Sequence, residues 1–349
     1  MEFETTVPGS RDTLMFREAA SAAQAMRRQM ESQFDIFARI GARLRETDPA
    51  VAVTIGRGSS DHAGVYARYL IEVMQGVITS PAGLSVSSLY DVTLRAKGAL
   101  CIAISQSGKS PDLVAATENF REAGAYTLAL TNTENSPISK VADDTIHLCA
   151  GPEKSVAATK TYLMSLTAIA QLMAHWTQDK DLLRGLDALP DQMEAAWDLD
   201  WSAAAETFVG ASSAFCLGRG MGYGGAREVA LKFTETCALH AESYSVAEVM
   251  HGPAALIGPD FPLLVFAQND ATQDNIRETL DRLCGMSQRV FVAGTTHAGA
   301  VTLPTIDAHP LLQPILMIQS FYRLVNAVSM ARGLNPDVPP NLSKVTETV

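Results

Sequence analysis

A chain of 349 residues is long enough for two domains with full hydrophobic cores. Hydrophobic residues make up 47% of it and charged residues 19%, the balance of a soluble globular protein, and the formal net charge of −11 opposes non-specific nucleic-acid binding, which needs a basic face. Residues 162–176 form the longest apolar stretch but are interrupted by Ser165, Thr167, Gln171 and His175, so no membrane span is expected. The start of the chain lacks the basic region and apolar core of a signal peptide, and the five cysteines are odd in number, widely spaced and without a CxxC pair. Neither a disulfide framework nor a zinc site is expected, and a reducing cytoplasm is the simplest setting.

In chain order, residues 13–46 carry apolar side chains every three to four positions (Met15, Ala19, Ala22, Met26, Met30, Phe34, Phe37), which predicts a helix. A strand is expected at 51–55, then the turn Gly56-Arg57-Gly58-Ser59-Ser60 and a helix over 61–74. A short extended piece follows at 77–80. Residues 99–104 are a continuous apolar run of strand length, and Leu113, Ala116 and Phe120 mark the helix beyond it. Strands are predicted at 126–131 and 145–149, with a long helix over 155–177 and a linker over 178–190. The pattern then restarts. A strand at 214–217 leads through Gly218-Arg219-Gly220-Met221-Gly222 into a helix ending near Cys237. Strands are expected at 263–267 and 289–293, and helices at 273–284 and 311–332.

The restart is visible in letters: Val53-Thr54-Ile55-Gly56-Arg57-Gly58 aligns with Phe215-Cys216-Leu217-Gly218-Arg219-Gly220, with Gly56 and Gly218 162 positions apart. Alternating strands and helices imply parallel sheets flanked by helices, an α/β doubly wound fold present twice. Ligands in such sheets sit beyond the carboxyl ends of the strands. A dinucleotide fingerprint fails in both glycine turns, at Asp61 and Tyr223, and a Walker A loop fails at Ala103.

The stretch Ser105-Gln106-Ser107-Gly108-Lys109-Ser110 separates an apolar strand from a helix whose start is marked by Ser110 as N-cap and Pro111 as first residue. Hydroxyls and a glycine at a helix N-terminus suit a phosphate, because unpaired N–H groups and the positive end of the helix dipole face the loop. On these residues alone, a plain helix cap is the ordinary reading. With Ser59 and Ser60 after the preceding strand, two loops are available to one ligand. Glu228, Lys232 and Glu235 recur at spacings of four and three, on one helix face, where a solvated ion-paired surface is the ordinary explanation. His251 precedes a Gly-Pro turn, and Lys344 lies in the tail near Asn341; a loop histidine and a solvated lysine are the ordinary readings there.

Taken together, Ser105-Gln106-Ser107-Gly108, Val156-Ala157-Ala158-Thr159-Lys160, Ala230-Leu231-Lys232 with Glu235, His240-Ala241-Glu242, Glu248 with His251-Gly252-Pro253, and Asn341-Leu342-Ser343-Lys344 resemble the double SIS (sugar isomerase) family. The resemblance is to the isomerase half of glutamine–fructose-6-phosphate aminotransferase and its stand-alone relatives, and it runs from about Met15 to Lys344. It implies two tandem SIS domains, at 47–180 and 181–333, preceded by a helical segment (1–46) and followed by a tail (334–349) that contributes to the active site. It implies that Ser59, Ser60, Ser105, Gln106, Ser107 and Ser110 hold a sugar phosphate together with Val156 and Ala158. Glu235 would move a proton between C1 and C2, and His251 would assist ring opening from the second subunit of a homodimer with a shared site. Lys344 would reach the open-chain carbonyl, and Lys232 would sit near the sugar hydroxyls.

Ring opening followed by proton transfer needs such a set of acids, bases and donors, and requires neither a metal nor an organic cofactor. The sequence departs from the aminotransferase pattern at Ala158, where a serine is common, and at Lys109, where the family has an acidic residue. Glu2 stands where the aminotransferase has its catalytic cysteine, so no glutaminase domain is expected. The leading expectation is an isomerising deaminase that converts glucosamine 6-phosphate and water to fructose 6-phosphate and ammonia. Alternatives are a related phosphosugar deaminase or deglycase, an ammonia-dependent glucosamine-6-phosphate synthase, or a non-catalytic sugar-phosphate sensor.

Overall fold

The computed structural model describes residues 9–90 and 92–344. The chain divides into two compact units, and each contains one five-stranded parallel sheet. The first unit comprises Gln24–Glu153, Lys160–Asp187 and the tail from Ser343. The second comprises the segment ending at Ala23, Lys154–Thr159 and Ala188–Leu342.

The N-terminal apolar periodicity produces α1 (Leu14–Ala20) and α2 (Ala22–Thr47) rather than one helix. Thr13 caps α1 by accepting from Phe16 N, and Ser21 ends it. The first unit continues with β1 (Val51–Ile55), α3 (Ser59–Gln75), β2 (Ile78–Pro81), α4 (Leu84–Ser88), β3 (Leu100–Ser105), α5 (Pro111–Glu122), β4 (Tyr126–Thr131), α6 (Pro137–Val141), β5 (Asp144–His147) and α7 (Lys160–Thr177). Its strand order is β2-β1-β3-β4-β5. The central strands β3 and β4 are buried at every residue, as their unbroken apolar letters require in a sheet covered on both faces. Helix α7 begins five residues later than the sequence predicts, because residues 154–159 form a separate loop. It is buried on almost every side. Its polar residues are paired inside: Thr167 Oγ1 and Gln171 Nε2 both donate to Gln29 Oε1, at 2.7 and 2.8 Å.

The stretch 178–190, predicted as a linker, is mostly helix: α8 spans Lys180–Trp197 with Pro190 inside it. An internal proline costs about 3 kcal/mol. Leu182, Leu186, Leu189, Met193 and Ala196, all buried, recur at helical spacing, and each large one contributes roughly 1.5–3 kcal/mol. Apolar burial outweighs the break. The second unit then adds α9 (Ser202–Gly210), β6 (Ser213–Gly218), α10 (Met221–Cys237), β7 (His240–Ser245), a 3₁₀ turn at Pro253–Leu256, β8 (Leu263–Phe266), α11 (Gln273–Met286), β9 (Val290–Ala293), β10 (Val301–Leu303) and α12 (Gln313–Ala331). Its strand order, β10-β9-β8-β6-β7, is the order of the first sheet read from the other edge. The letter repeat is therefore a repeat of topology. In both sheets the strand order reverses between the first and third strands, β1 and β3 in one and β6 and β8 in the other. That is where ligands bind in open α/β sheets.

Candidate functional site

In the first unit the reversal point is flanked by the two loops singled out from the sequence. Gly56, Arg57 and Gly58 follow β1. A Cβ on Gly56 would stand 2.8 Å from the backbone N of Asp61, so helix and strand can meet this closely only at glycine. Gly58 adopts φ 53°, ψ −128°, which L side chains rarely take up, and this bend sends the chain directly into α3. Ser59 and Ser60, both half-buried, are the first residues of that helix. After β3, Ser105 Oγ accepts from Gly108 N at 3.1 Å and Ser107 Oγ from Lys109 N at 3.3 Å. Gly108, at φ 63°, is packed against Ser136 and Ile138, and its carbonyl accepts from Ile138 N at 3.1 Å. Ser110 occupies the cap position of α5, but its side chain makes no capping hydrogen bond; the sequence expectation of a side-chain cap is corrected here. Gln106, Ser107 and Ser110 are half-buried, and Ser105 is buried.

The two loops are tied together by a pair that the sequence reading missed. Arg57 Nε and Nη2 each lie 2.7 Å from Asp112 Oδ2, and the carboxylate is fully buried. Asp112 sits in the first turn of α5, where a carboxylate favours the helix dipole but opposes a neighbouring anion. The guanidinium neutralises it, so the serine loop keeps its suitability for a phosphate. The signal was available as an arginine between two glycines, but its partner lies 55 residues away.

Lys344 is also in the first unit. Its Nζ lies 3.0 Å from Glu153 Oε2. Glu153 additionally accepts from Thr161 N (3.0 Å) and Thr161 Oγ1 (2.7 Å). Burial opposes the carboxylate charge, but Lys344 and the Thr161 donors outweigh it and hold Glu153 below the usual carboxylate range. Glu153 is a second residue that sequence reasoning missed. The tail lysine is thus fixed by an ion pair rather than solvated, with about a quarter of its side chain exposed.

Val156 and Ala158, both half-buried, belong to the loop 154–159 of the second unit. Glu18 accepts from Lys154 N at 2.5 Å and Ser155 N at 3.2 Å, and Val156 N donates to Asp337 O at 3.0 Å. The Asp337 carboxylate also accepts from Leu14 N and Met15 N, both at 2.7 Å, as suits an anion at the start of α1.

The second unit repeats the glycine device: Gly220 has φ 57°, ψ −132° and opens α10, and a Cβ on Gly218 would stand 2.5 Å from Gly222 O. Along α10 run Glu228, Lys232 and Glu235. They do not form a solvated face. Glu228 and Lys232 are completely buried, and Glu235 keeps 22% of its side chain exposed. Lys232 Nζ lies 3.4 Å from Glu228 Oε1 and forms a close ion pair with Glu235 Oε2; Tyr322 Oη on α12 donates to Glu228 Oε1 at 3.2 Å. Burial works against the charge on Lys232, but the two carboxylates outweigh it and hold the amine above its ordinary range. The arrangement is one partly exposed carboxylate whose partner ammonium is locked in place from behind. His251 is exposed on the turn before Gly252, its backbone N bonded to Glu248 O at 2.8 Å.

The SIS domain family model matches residues 48–175 and 207–280, more than half of the chain and one segment in each sheet. The chain belongs to the SIS domain family. It is 34% identical over 309 residues to the glutamine–fructose-6-phosphate aminotransferase [isomerizing] of Symbiobacterium thermophilum, covering 82% of this chain and 50% of that protein. The chain spans about half the length of the curated relatives it matches. Among solved structures, a Silicibacter pomeroyi chain assigned as a phosphosugar isomerase superposes with a TM-score of 0.88 at 42% identity, covering 93% of this SIS protein and 100% of that chain. The C-terminal domain of the Francisella tularensis glucosamine-fructose-6-phosphate aminotransferase superposes with a TM-score of 0.84 at 24% identity, covering 93% and 98%, and so shares the fold. Among the described residues, no helix is long and apolar enough to cross a membrane.

Proposed function

We propose that this SIS protein is a phosphosugar isomerase whose substrate is an aminosugar phosphate, and that it releases ammonia from glucosamine 6-phosphate to give fructose 6-phosphate. The observation that carries this reading is the buried Glu228–Lys232–Glu235 chain. A buried ion pair is poor economy for stability alone. One that leaves a single carboxylate edge exposed suits a base that takes a proton from carbon and returns it to the neighbouring carbon. The Lys232 ammonium holds Glu235 in position for this transfer.

In this reading Ser59, Ser60, Ser105, Gln106, Ser107 and Ser110 hold the phosphate, with Val156 and Ala158 beside the sugar. His251 assists ring opening from the partner subunit of a homodimer. Glu235 then shifts the proton between C2 and C1, turning the C2 amine into an imine. Lys344 faces the open-chain carbonyl carbon. Water adds to the imine carbon and the C–N bond breaks, leaving the ketone of fructose 6-phosphate and ammonia. The identity to proteins named as isomerising glutamine–fructose-6-phosphate aminotransferases supports the sugar and the chemistry.

The test is to incubate the purified protein with glucosamine 6-phosphate and assay both ammonia and fructose 6-phosphate. Equimolar release is expected, falling about 10³-fold in Glu235→Gln while the variant still binds the sugar phosphate in a calorimeter. Near-normal turnover in that variant would remove Glu235 from the mechanism. Release from galactosamine 6-phosphate or a fructosamine phosphate instead would keep the chemistry and change the sugar. Tight binding with no turnover of any of them would leave a sensor.

A further inference from the structure

Away from these loops, the second unit holds a cysteine, a histidine and an aspartate in line. Asp281 and Cys284 lie three residues apart on α11, so both point from one helix face. His297, in the loop between β9 and β10, lies between them: Cys284 Sγ is 3.3 Å from Nδ1, and Asp281 Oδ1 is 2.9 Å from Nε2. The backbone N–H of Gly299 also points at Nδ1, at 3.0 Å. A backbone N–H only donates, so Nδ1 is the bare nitrogen and the imidazole proton sits on Nε2, facing Asp281. The single lone pair of Nδ1 is shared between the Gly299 N–H and the thiol hydrogen. This is the order nucleophile, base, orienting carboxylate. The packing is close: a Cβ on Gly299 would stand 2.7 Å from Cys284 Cβ and 3.2 Å from its sulfur.

We infer that Cys284 is a peroxide-reactive thiol for which His297 is the base and Asp281 the orienting group. Burial and the Asp281 charge push the resting thiol up, so the proton stays on sulfur until the reaction begins. As sulfur attacks one oxygen of hydrogen peroxide, its proton passes to His297 Nδ1 and the O–O bond breaks. The departing hydroxide takes the proton back as water, leaving a sulfenic acid. Sulfur loses two electrons and the peroxide gains them. The ring is only partly covered, with 19% of its side chain exposed, and Cys284 is half-buried, so a small oxidant has access. The other cysteines supply the contrast. Cys101, Cys216 and Cys237 are buried, and half-buried Cys149 has the Ser32 hydroxyl and the His147 carbonyl at its sulfur, with no imidazole among its bonds.

Full-length protein treated with hydrogen peroxide in the presence of dimedone, followed by peptide mass spectrometry, tests this. The adduct is expected at Cys284 at least about 10-fold faster than at Cys149, and the Cys284 rate is expected to fall at least about 10-fold in His297→Gln and by less in Asp281→Asn, in line with a general base. Equal labelling of Cys284 and Cys149 in the unaltered protein, or a His297→Gln rate within threefold of it, would overturn the assignment. The first comparison needs no variant and so stands even where His297→Gln folds poorly.

Discussion

The helices α3 and α10 occupy the same place in the two sheets, and every buried position of α3 has a buried counterpart in α10. Positions 62, 63, 64, 66, 67, 70 and 71 are buried in α3; in α10, positions 224, 225, 226, 228, 229, 232 and 233, each 162 further on, are buried as well. Their chemistry differs. Where α10 has Glu228, Lys232 and Glu235, α3 has Tyr66, Leu70 and Val73. The fold is therefore satisfied by uncharged side chains at these positions, and the charges on α10 answer to something other than packing. The opposite holds after the third strand. The first unit has the serine loop 105–110; the second has Gln268, Asn269, Asp270 and Thr272 there, with Gln268 Nε2 donating to Arg219 O at 2.7 Å to tie this loop to the glycine turn after β6. The repeat kept its backbone device and divided its side-chain chemistry: a hydroxyl-rich loop in one copy, a buried chain of charges in the other.

The sharpest way to break this comparison is to write the α3 residue into α10. Lys232→Leu leaves Glu228 buried without its cation and should lower stability by about 3–5 kcal/mol, read from urea denaturation. Glu228→Gln with Lys232→Leu removes both charges and keeps an acceptor for Tyr322, and should recover at least half of that loss while turnover stays absent. If the double variant is as unstable as the single one, the charges serve the fold and the contrast with Leu70 is lost.

A smaller effect is expected at the other buried glutamate–lysine pair, because Lys344 is partly solvated whereas Lys232 is not. Glu153→Gln should cost about 1–3 kcal/mol near neutral pH. Glu153 has a lowered pKa in the folded protein, so the stability it contributes is present above its ordinary value of 4.5 and is lost as pH falls through the lower folded value. Thermal melts of the two proteins should therefore converge below pH 4.5; a gap that persists unchanged there would show that the carboxylate charge is not what Glu153 supplies.

Similar in size but the most even should be Gly58→Ala and Gly220→Ala. Both glycines hold nearly the same positive-φ conformation, and each substitution should cost about 1–3 kcal/mol. A Cβ on Gly220 also meets Thr272 Cγ2 at 3.3 Å, so its variant should melt slightly lower. Clearly unequal losses in the opposite sense would mean that the two turns are alike only in shape.

The sequence alone determined the doubled strand–glycine–helix pattern, the buried central strands and the serine loop at a helix start. Each of these rests on neighbours in the chain: apolar runs, residues that must tolerate positive φ, and a proline at the first helical position. It did not show β7, a sheet-edge strand of polar letters defined by its ladder to β6, or α8, where the buried leucines outweigh Pro190. Only the tertiary structure decided which charges matter. Spacings of four and three look the same on a solvated face and in a core, so the burial of Glu228 and Lys232 was invisible until α12 lay against α10. The same is true of Arg57 with Asp112 and of Glu153 with Lys344, partners 55 and 191 residues apart. Local letters set where the backbone turns, but a charge is silenced or sharpened by whatever excludes water from it, and that is contributed by residues remote in sequence.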